Sequence, residues 1–378
     1  MTELTKDRAE AIGGIFSHFD VQSAPVSFSE NRTGHINSTF FVGTSDGGKY
    51  VLQQINTAVF KDPRGLMDNI FAVTGYLRGK IAESGGDPSR GTLRFIKCRP
   101  DRDGNADKFY TDPEGHAWRV YEFIDDVVSL QSASSPEVFA DVGRAFGNFQ
   151  MMLSGFDAST LCETIPNFHN TPSRYADFEA ALAADTAGRA SGIPLEIDFV
   201  KKRKDVCFFI TDRIARGELP LRVTHNDTKL NNLLLDKKTL KPVCVIDLDT
   251  VMPGSVLFDF GDAIRFGAST AAEDETDLSK VGTDLRLFRA FTEGFCDGLG
   301  GSLTENELRC LPMGALVITL ETGIRFLGDY LAGDVYFRIS HPEHNLERAR
   351  NQFAIVADME KKMDLMNAAV DEIIRKKN

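Results

Sequence analysis

Val223-Thr-His-Asn-Asp-Thr-Lys-Leu-Asn-Asn232, with Pro242-Val-Cys-Val-Ile246 and Asp247 behind it, sets an acid, an amide and a second acid around two short apolar runs. Leu219 to Val223 leads the chain into a loop at His225-Asn226-Asp227. Leu233 to Leu235 and Val243 to Ile246 then read as the arms of a hairpin turning at Lys237-Lys-Thr239. That hairpin brings Asn232 near Asp247, where an amide oxygen and a carboxylate can share a hard cation such as Mg²⁺. Asp227, at the head of the loop, would face a hydroxyl that must lose its proton. The set suits phosphoryl transfer, which rests on positioning and charge neutralisation.

The spacing H-x-D-x-x-x-x-N, a strand and then I-D resembles the catalytic loop and metal-binding aspartate of the aminoglycoside phosphotransferase branch of the protein-kinase-like superfamily. The resemblance implies Asp227 as catalytic base, Asn232 and Asp247 as Mg²⁺ ligands, and ATP as the phosphoryl donor. Lys229 falls where related kinases place a lysine on the transferring phosphate; a solvent-facing lysine is the alternative. Asp259-Phe260-Gly261 spells the kinase metal signature but follows Pro253-Gly254 and not an apolar β-arm. Asp247 is therefore the better ligand, and Asp259 and Asp262 are expected to cap the next helix and brace the loop.

The rest of the chain agrees with a two-lobed α+β fold. At 378 residues it exceeds one core's usual size. Residues 1–124 read as a strand-rich, nucleotide-binding lobe ending in a hinge near Glu122 to Asp126. Residues 125–378 read as a helical lobe carrying the catalytic loop and the acceptor site. Ser45-Asp-Gly-Gly48 signals a hairpin, and one helix is expected from Ile197 to Arg216 and a last one from Arg348. A net charge of -12 argues against a nucleic-acid surface. No apolar run approaches the ~20 residues of a membrane span, and no signal-peptide core precedes the first helix. The six scattered cysteines, without a C-x-x-C pair, read as reduced thiols of a cytoplasmic protein.

In the small lobe, Asn31 to Ser38 is the candidate phosphate loop, with Gly34, His35 and Asn37 as nucleotide contacts. The strand Tyr50 to Ile55 should present a phosphate-binding lysine, but Gln53 occupies the nearest position, and an amide cannot replace that charge. Lys61 or Arg32 could compensate, or the metal could neutralise more; a nucleotide-binding module without catalysis is the competing reading. Backbone groups of Glu122 and Ile124 would read adenine. Glu321 to Tyr330, Gly333 to Arg338 and His344 to Arg350 resemble the bacterial N-acetylhexosamine 1-kinases. That resemblance implies a sugar acceptor phosphorylated at its anomeric hydroxyl, with Asp227, Thr250, Arg325 and Tyr336 as substrate contacts. Another small hydroxyl compound (an amino sugar, a choline-like alcohol or an aminoglycoside) is the alternative acceptor. Arg325 and Asp329 lie one turn apart on the expected helix and so share a face.

Overall fold

The computed structural model describes residues 2–31 and 36–377. The first lobe runs β1 (Thr2–Glu3), α1 (Lys6–Phe16), β2 (Pro25–Asn31), β3 (Ser38–Thr44), β4 (Lys49–Ile55), α2 (Pro63–Glu83), α3 (Pro88–Gly91), β5 (Phe95–Ile96), β6 (Tyr110–Thr111) and β7 (Ala117–Glu122). Its strands make one antiparallel sheet in the order β1-β2-β3-β4-β7-β5, with β6 also on β7. The β3–β4 hairpin turns at Ser45 to Gly48, where Gly47 takes a left-handed φ of 87°.

Strand alternation gives the sheet two different faces. Phe40, Val42, Leu52, Trp118 and Val120 point to one side and close a small core with Phe16 and Phe19. The other face carries a polar row, Thr39, Gln53 and Arg119, paired strand to strand. Across this face lies α2, started by Pro63 with the Asp62 carboxylate accepting Gly65 N–H. Asn69 of α2 donates to Val251 O and Cys162 O and accepts from Cys162 N, joining the lobes.

The second lobe holds β8 (Val127–Val128), α4 (Pro136–Met152), α5 (Thr171–Ala184), α6 (Pro194–Lys201), α7 (Phe209–Ala215), β9 (Arg222–Thr224), β10 (Leu233–Asp236), β11 (Pro242–Val245), β12 (Met252–Gly254), α8 (Val256–Gly267), α9 (Leu285–Gly298), α10 (Glu305–Ala332) and α11 (His344–Lys377). β10 and β11 form the expected hairpin, and β8 adds itself to β10 just after the hinge. The helix expected from Ile197 to Arg216 is instead α6, a 3₁₀ turn at Lys204–Phe208, and α7. Lys201, Lys202, Arg203 and Lys204 crowd like charge onto one turn, and Arg203 is drawn to Glu360 and over the Phe199 ring. The last helix opens at His344, one turn before the expected Arg348.

α10 is the axis of this lobe, packed by α5, α8 and α11. It opens with a Thr304–Glu307 capping box and closes at Gly333 with a left-handed φ of 96°. By length and composition it could cross a membrane, contrary to the expectation of no such run. Here 78% of that apolar stretch is buried in the protein, as a core helix requires. α4 and α9 touch backbone to backbone. A Cβ at Gly143 or Gly147 would collide with Phe291 O or Phe295 O, and one at Gly294 or Gly298 with Ala140 O or Arg144 O.

Candidate active site

The catalytic loop hangs between β9 and β10 and is fixed by buried polar groups on every side. His225 Nε2 donates to Ile246 O (2.8 Å), and its Nδ1 accepts Asp227 N–H (3.2 Å). A carbonyl only accepts and an amide N–H only donates, so these partners set the tautomer. Phe146 and Phe149 of α4 meet the ring edge to face. Asn226 takes a φ of 64°, and its side chain bonds Thr224 and Thr250 O. Asp259, one turn into α8, accepts His225 N–H and Asn226 N–H, while its backbone oxygen accepts the Thr228 hydroxyl. It braces the loop as expected. The cap of α8 is Ser255, not Asp259; Asp262 pairs with Arg265 instead of capping.

His169 supports the loop from the opposite side. Its Nε2 meets Asn226 O (3.0 Å) and its Nδ1 meets Glu321 Oε1 (2.8 Å). Burial disfavours a charge here, but the Glu321 carboxylate overrides it and raises the imidazole pKa. His169 therefore donates from both nitrogens. Thr171 completes Glu321 with a bond of 2.6 Å.

Within this frame Asp227 Oδ1 contacts Lys229 Nζ at 2.9 Å, and its Oδ2 accepts from Asn232 Nδ2 at 3.0 Å. Burial opposes ionisation of Asp227, yet the Lys229 ammonium beside it holds the carboxyl below its ordinary range. The Lys229 side chain remains 36% exposed while its Nζ reaches the Asp227 carboxylate. Asn232 also donates to Asp227 O (2.8 Å), so its amide hydrogens face the loop and its Oδ1 stays available. Ile246 N–H donates to Asn232 O at 2.9 Å, which puts Asn232 next to the chain at Asp247. Asp247 takes a left-handed φ of 60° and reaches water at the cleft floor. The surrounding protein, together with Asp249 and Asp227, pushes its carboxyl up to about 7. Two hard oxygen donors, one on a carboxylate that resists standing alone, fit a divalent cation.

The nucleotide side differs from expectation at several residues. Gly34, His35 and Arg32 lie outside the described residues. The Asn37 amide is joined to Asp249 Oδ2 (2.7 Å) and Asn56 N (2.9 Å), so its side chain ties the lobes together. Gln53 does not stand as a free phosphate contact: its oxygen accepts two N–H groups of Arg119 and its amide donates to Thr39. Lys61 is exposed before α2, whereas Arg119, missed in the sequence, is the buried cation on this face. Its cue was a charged residue inside the apolar strand Ala117-Trp-Arg-Val-Tyr. Glu122 N–H is committed to Arg94 O and its carboxylate to the Arg94 side chain. Ile124 lies buried at the hinge.

On the acceptor side the Thr250 hydroxyl donates to His225 O (2.7 Å), so only its lone pairs face outward. Arg325 makes no bridge to Asp329. Its guanidinium lies over the rings of Phe168, Tyr336 and Phe337 at 5.5, 5.8 and 5.5 Å. Asp329 instead gathers Val335, Tyr336 and Phe337 N–H at 2.8–2.9 Å, presenting Tyr336 at the surface, 58% exposed.

A model of the phosphotransferase enzyme family matches residues 27–290. The choline kinase of Cryptosporidium parvum Iowa II superposes with a TM-score of 0.57 at 16% identity, covering 96% of this chain and 97% of that one. A microcompartment-associated aminopropanol kinase gives 0.56 at 14%, over 95% and 98% of the two chains. Aminoglycoside 2'-phosphotransferase-IIIa, solved as its GDP complex, gives 0.57 at 11%, over 93% and 99%. These likenesses extend over both lobes and show a shared fold. With the family match covering most of the chain, the protein belongs to the phosphotransferase enzyme family.

Proposed function

We propose that the protein transfers the γ-phosphoryl group of ATP to the anomeric hydroxyl of an N-acetylhexosamine, GlcNAc or GalNAc, giving the sugar 1-phosphate and ADP. Asp227 accepts the hydroxyl proton, the freed oxygen bonds the γ-phosphorus, and the bond to the β–γ bridging oxygen breaks. Lys229 keeps Asp227 ionised, and Asn232 fixes its direction. Asn232 Oδ1 and Asp247 would hold Mg²⁺, which supplies charge neutralisation at the phosphates when bound.

The observation that carries the acceptor class is the Arg325 cluster. Aromatic faces attract a quaternary or protonated amine, but here three rings already receive a guanidinium. A cationic amino alcohol or aminoglycoside would meet like charge at this wall. A neutral polyhydroxyl carrying an acetamido oxygen meets donors and an aromatic edge. Arg325 and Glu321 sit one turn apart on α10, and Glu321 reaches the catalytic loop through His169.

The test is ADP release with Mg-ATP and an acceptor panel. GlcNAc or GalNAc should turn over, and the 1-O-methyl glycoside, whose anomeric oxygen is blocked, should not. Turnover on choline or an aminoglycoside with none on N-acetyl sugars would overturn the acceptor. No stimulated release by any acceptor would favour a nucleotide-binding module without transfer.

A further inference from the structure

The small lobe lacks a lysine where Gln53 stands, yet its cleft face is not without charge. Among the described residues, the sheet strands carry two cations, Lys49 and Arg119. Lys49 sits at the rim, 57% exposed, and pairs with Asp125. Arg119 is 2% exposed and occupies the next strand in register with Gln53. Its Nε and Nη2 donate to Gln53 Oε1 at 3.0 and 2.8 Å. Its Nη1 and Nη2 also form a bidentate pair with Asp249, the latter at 2.9 Å. A guanidinium has five N–H groups; these bonds engage four, and the fifth is on Nη1. Asp249 stands two residues beyond Asp247, so the guanidinium lies at the end of the cleft where metal-bound phosphates must sit.

A buried ion pair is weak evidence of stabilisation, because desolvating both charges offsets their attraction. Its presence here, two residues from the water-exposed Asp247, calls for another reason. The Thr39–Gln53–Arg119 row moves the charge one strand over and aims it by an amide. Asp249, on the large lobe, then holds it from below. We propose that Arg119 is the small-lobe cation that binds the nucleotide phosphates, with Gln53 and Asp249 as its positioning residues. The assignment rests on the nucleotide-dependent reading above.

Calorimetric titration with ADP and with adenosine tests it, because adenosine lacks the groups that Arg119 would touch. Arg119→Gln should weaken ADP binding by about ten- to a hundredfold and leave adenosine binding within about twofold. Arg119→Gln also leaves Asp249 without its partner. The Arg119→Gln/Asp249→Asn variant removes both charges together and should show the same selective loss with a thermal midpoint nearer that of the wild type. Adding Gln53→Lys to either background restores a cation one strand away and should recover part of the ADP affinity. Unchanged ADP affinity, or equal losses for ADP and adenosine without rescue, would assign Arg119 to structure alone. Failure of the wild-type protein to bind ADP would overturn the nucleotide reading itself.

Discussion

At the scale of single residues, the site separates two carboxyls by environment. Asp227 is kept charged by Lys229, whereas Asp247, though open to water, is pushed toward neutrality by the surrounding protein and by Asp249 and Asp227. Asp227→Asn keeps the side chain's size but loses one of its two acceptor oxygens, which face Lys229 and Asn232, and cannot take a proton. It should fold, bind nucleotide and lose about 10²–10⁴-fold in turnover; near wild-type kcat in a steady-state assay would remove it as the base. For Asp247 the sign follows from its pKa, raised from 3.8 unfolded to about 7 folded. The folded state holds the extra proton between those values, so the stability tied to it is full below about pH 4 and lost as pH rises through 7. Because Asp247 is open to water, solvent screening leaves a small effect: metal-free Asp247→Asn should melt slightly above the wild type at pH 8, with the difference shrinking toward pH 4. Added divalent metal should close the gap by stabilising only the wild type. A constant difference across that range would contradict the assignment. The meeting of Asp227, Asn232 and Asp247 around one hairpin was legible from their spacing. Arg119, Asp249 and His169 were not, since their partners lie far away in the chain and only packing brings them in.

At the scale of elements, the catalytic loop is only as rigid as the helices beside it. α4 supplies Phe146 and Phe149 to His225 and Gln150 to Asp259. Its own place depends on glycines that let its backbone meet α9. Gly294→Ala would drive a methyl into Ala140 O, which bond rotation cannot relieve because the obstacle is backbone. The expected loss is at least ~1–3 kcal/mol, with kcat falling alongside because His225 and Asp259 shift with α4. Thermal melting and steady-state rates measure both; an unchanged melting point would show that the helices separate freely. The last helix was readable from its period, one turn late at its start. The interruption between α6 and α7 was not. The apolar period continues through it, and the contact that stabilises the break, Arg203 with Glu360, comes from the far end of the chain.

At the scale of the whole molecule, the lobes are joined by more than the hinge. Asn69 of α2 holds Val251 and Cys162, and Asn37 holds Asp249. The large core itself continues from Leu66 and Ile70 of α2 into α10 and α11. Asn69→Ala strips a partner from the buried Val251 carbonyl, at about 1–3 kcal/mol, and frees the backbone of the exposed Cys162. We expect a lower melting point and faster proteolytic nicking near residues 122–128, with nucleotide restoring part of the protection. Cleavage at the wild-type rate would show that the hinge and core suffice. The two-lobed plan was readable because strand alternation gives way to helical period after Asp126. The joints between the lobes were not, since each uses one amide whose partner the sequence leaves unnamed.

Asp329 gives the acceptor side an unusual economy of attachment. A single carboxylate at the end of α10 clasps three successive amides, and Asn345 clasps the same carboxylate from α11. The segment carrying Tyr336 is thus a rim with Asp329 as its central peg, its ends tied as well by Arg189 and Asn345 to Asp334 and by His344 to Ser340. Selection, or an engineer, can recut residues 334–340 to suit a new acceptor while the peg and the phosphoryl-transfer machinery remain as they are.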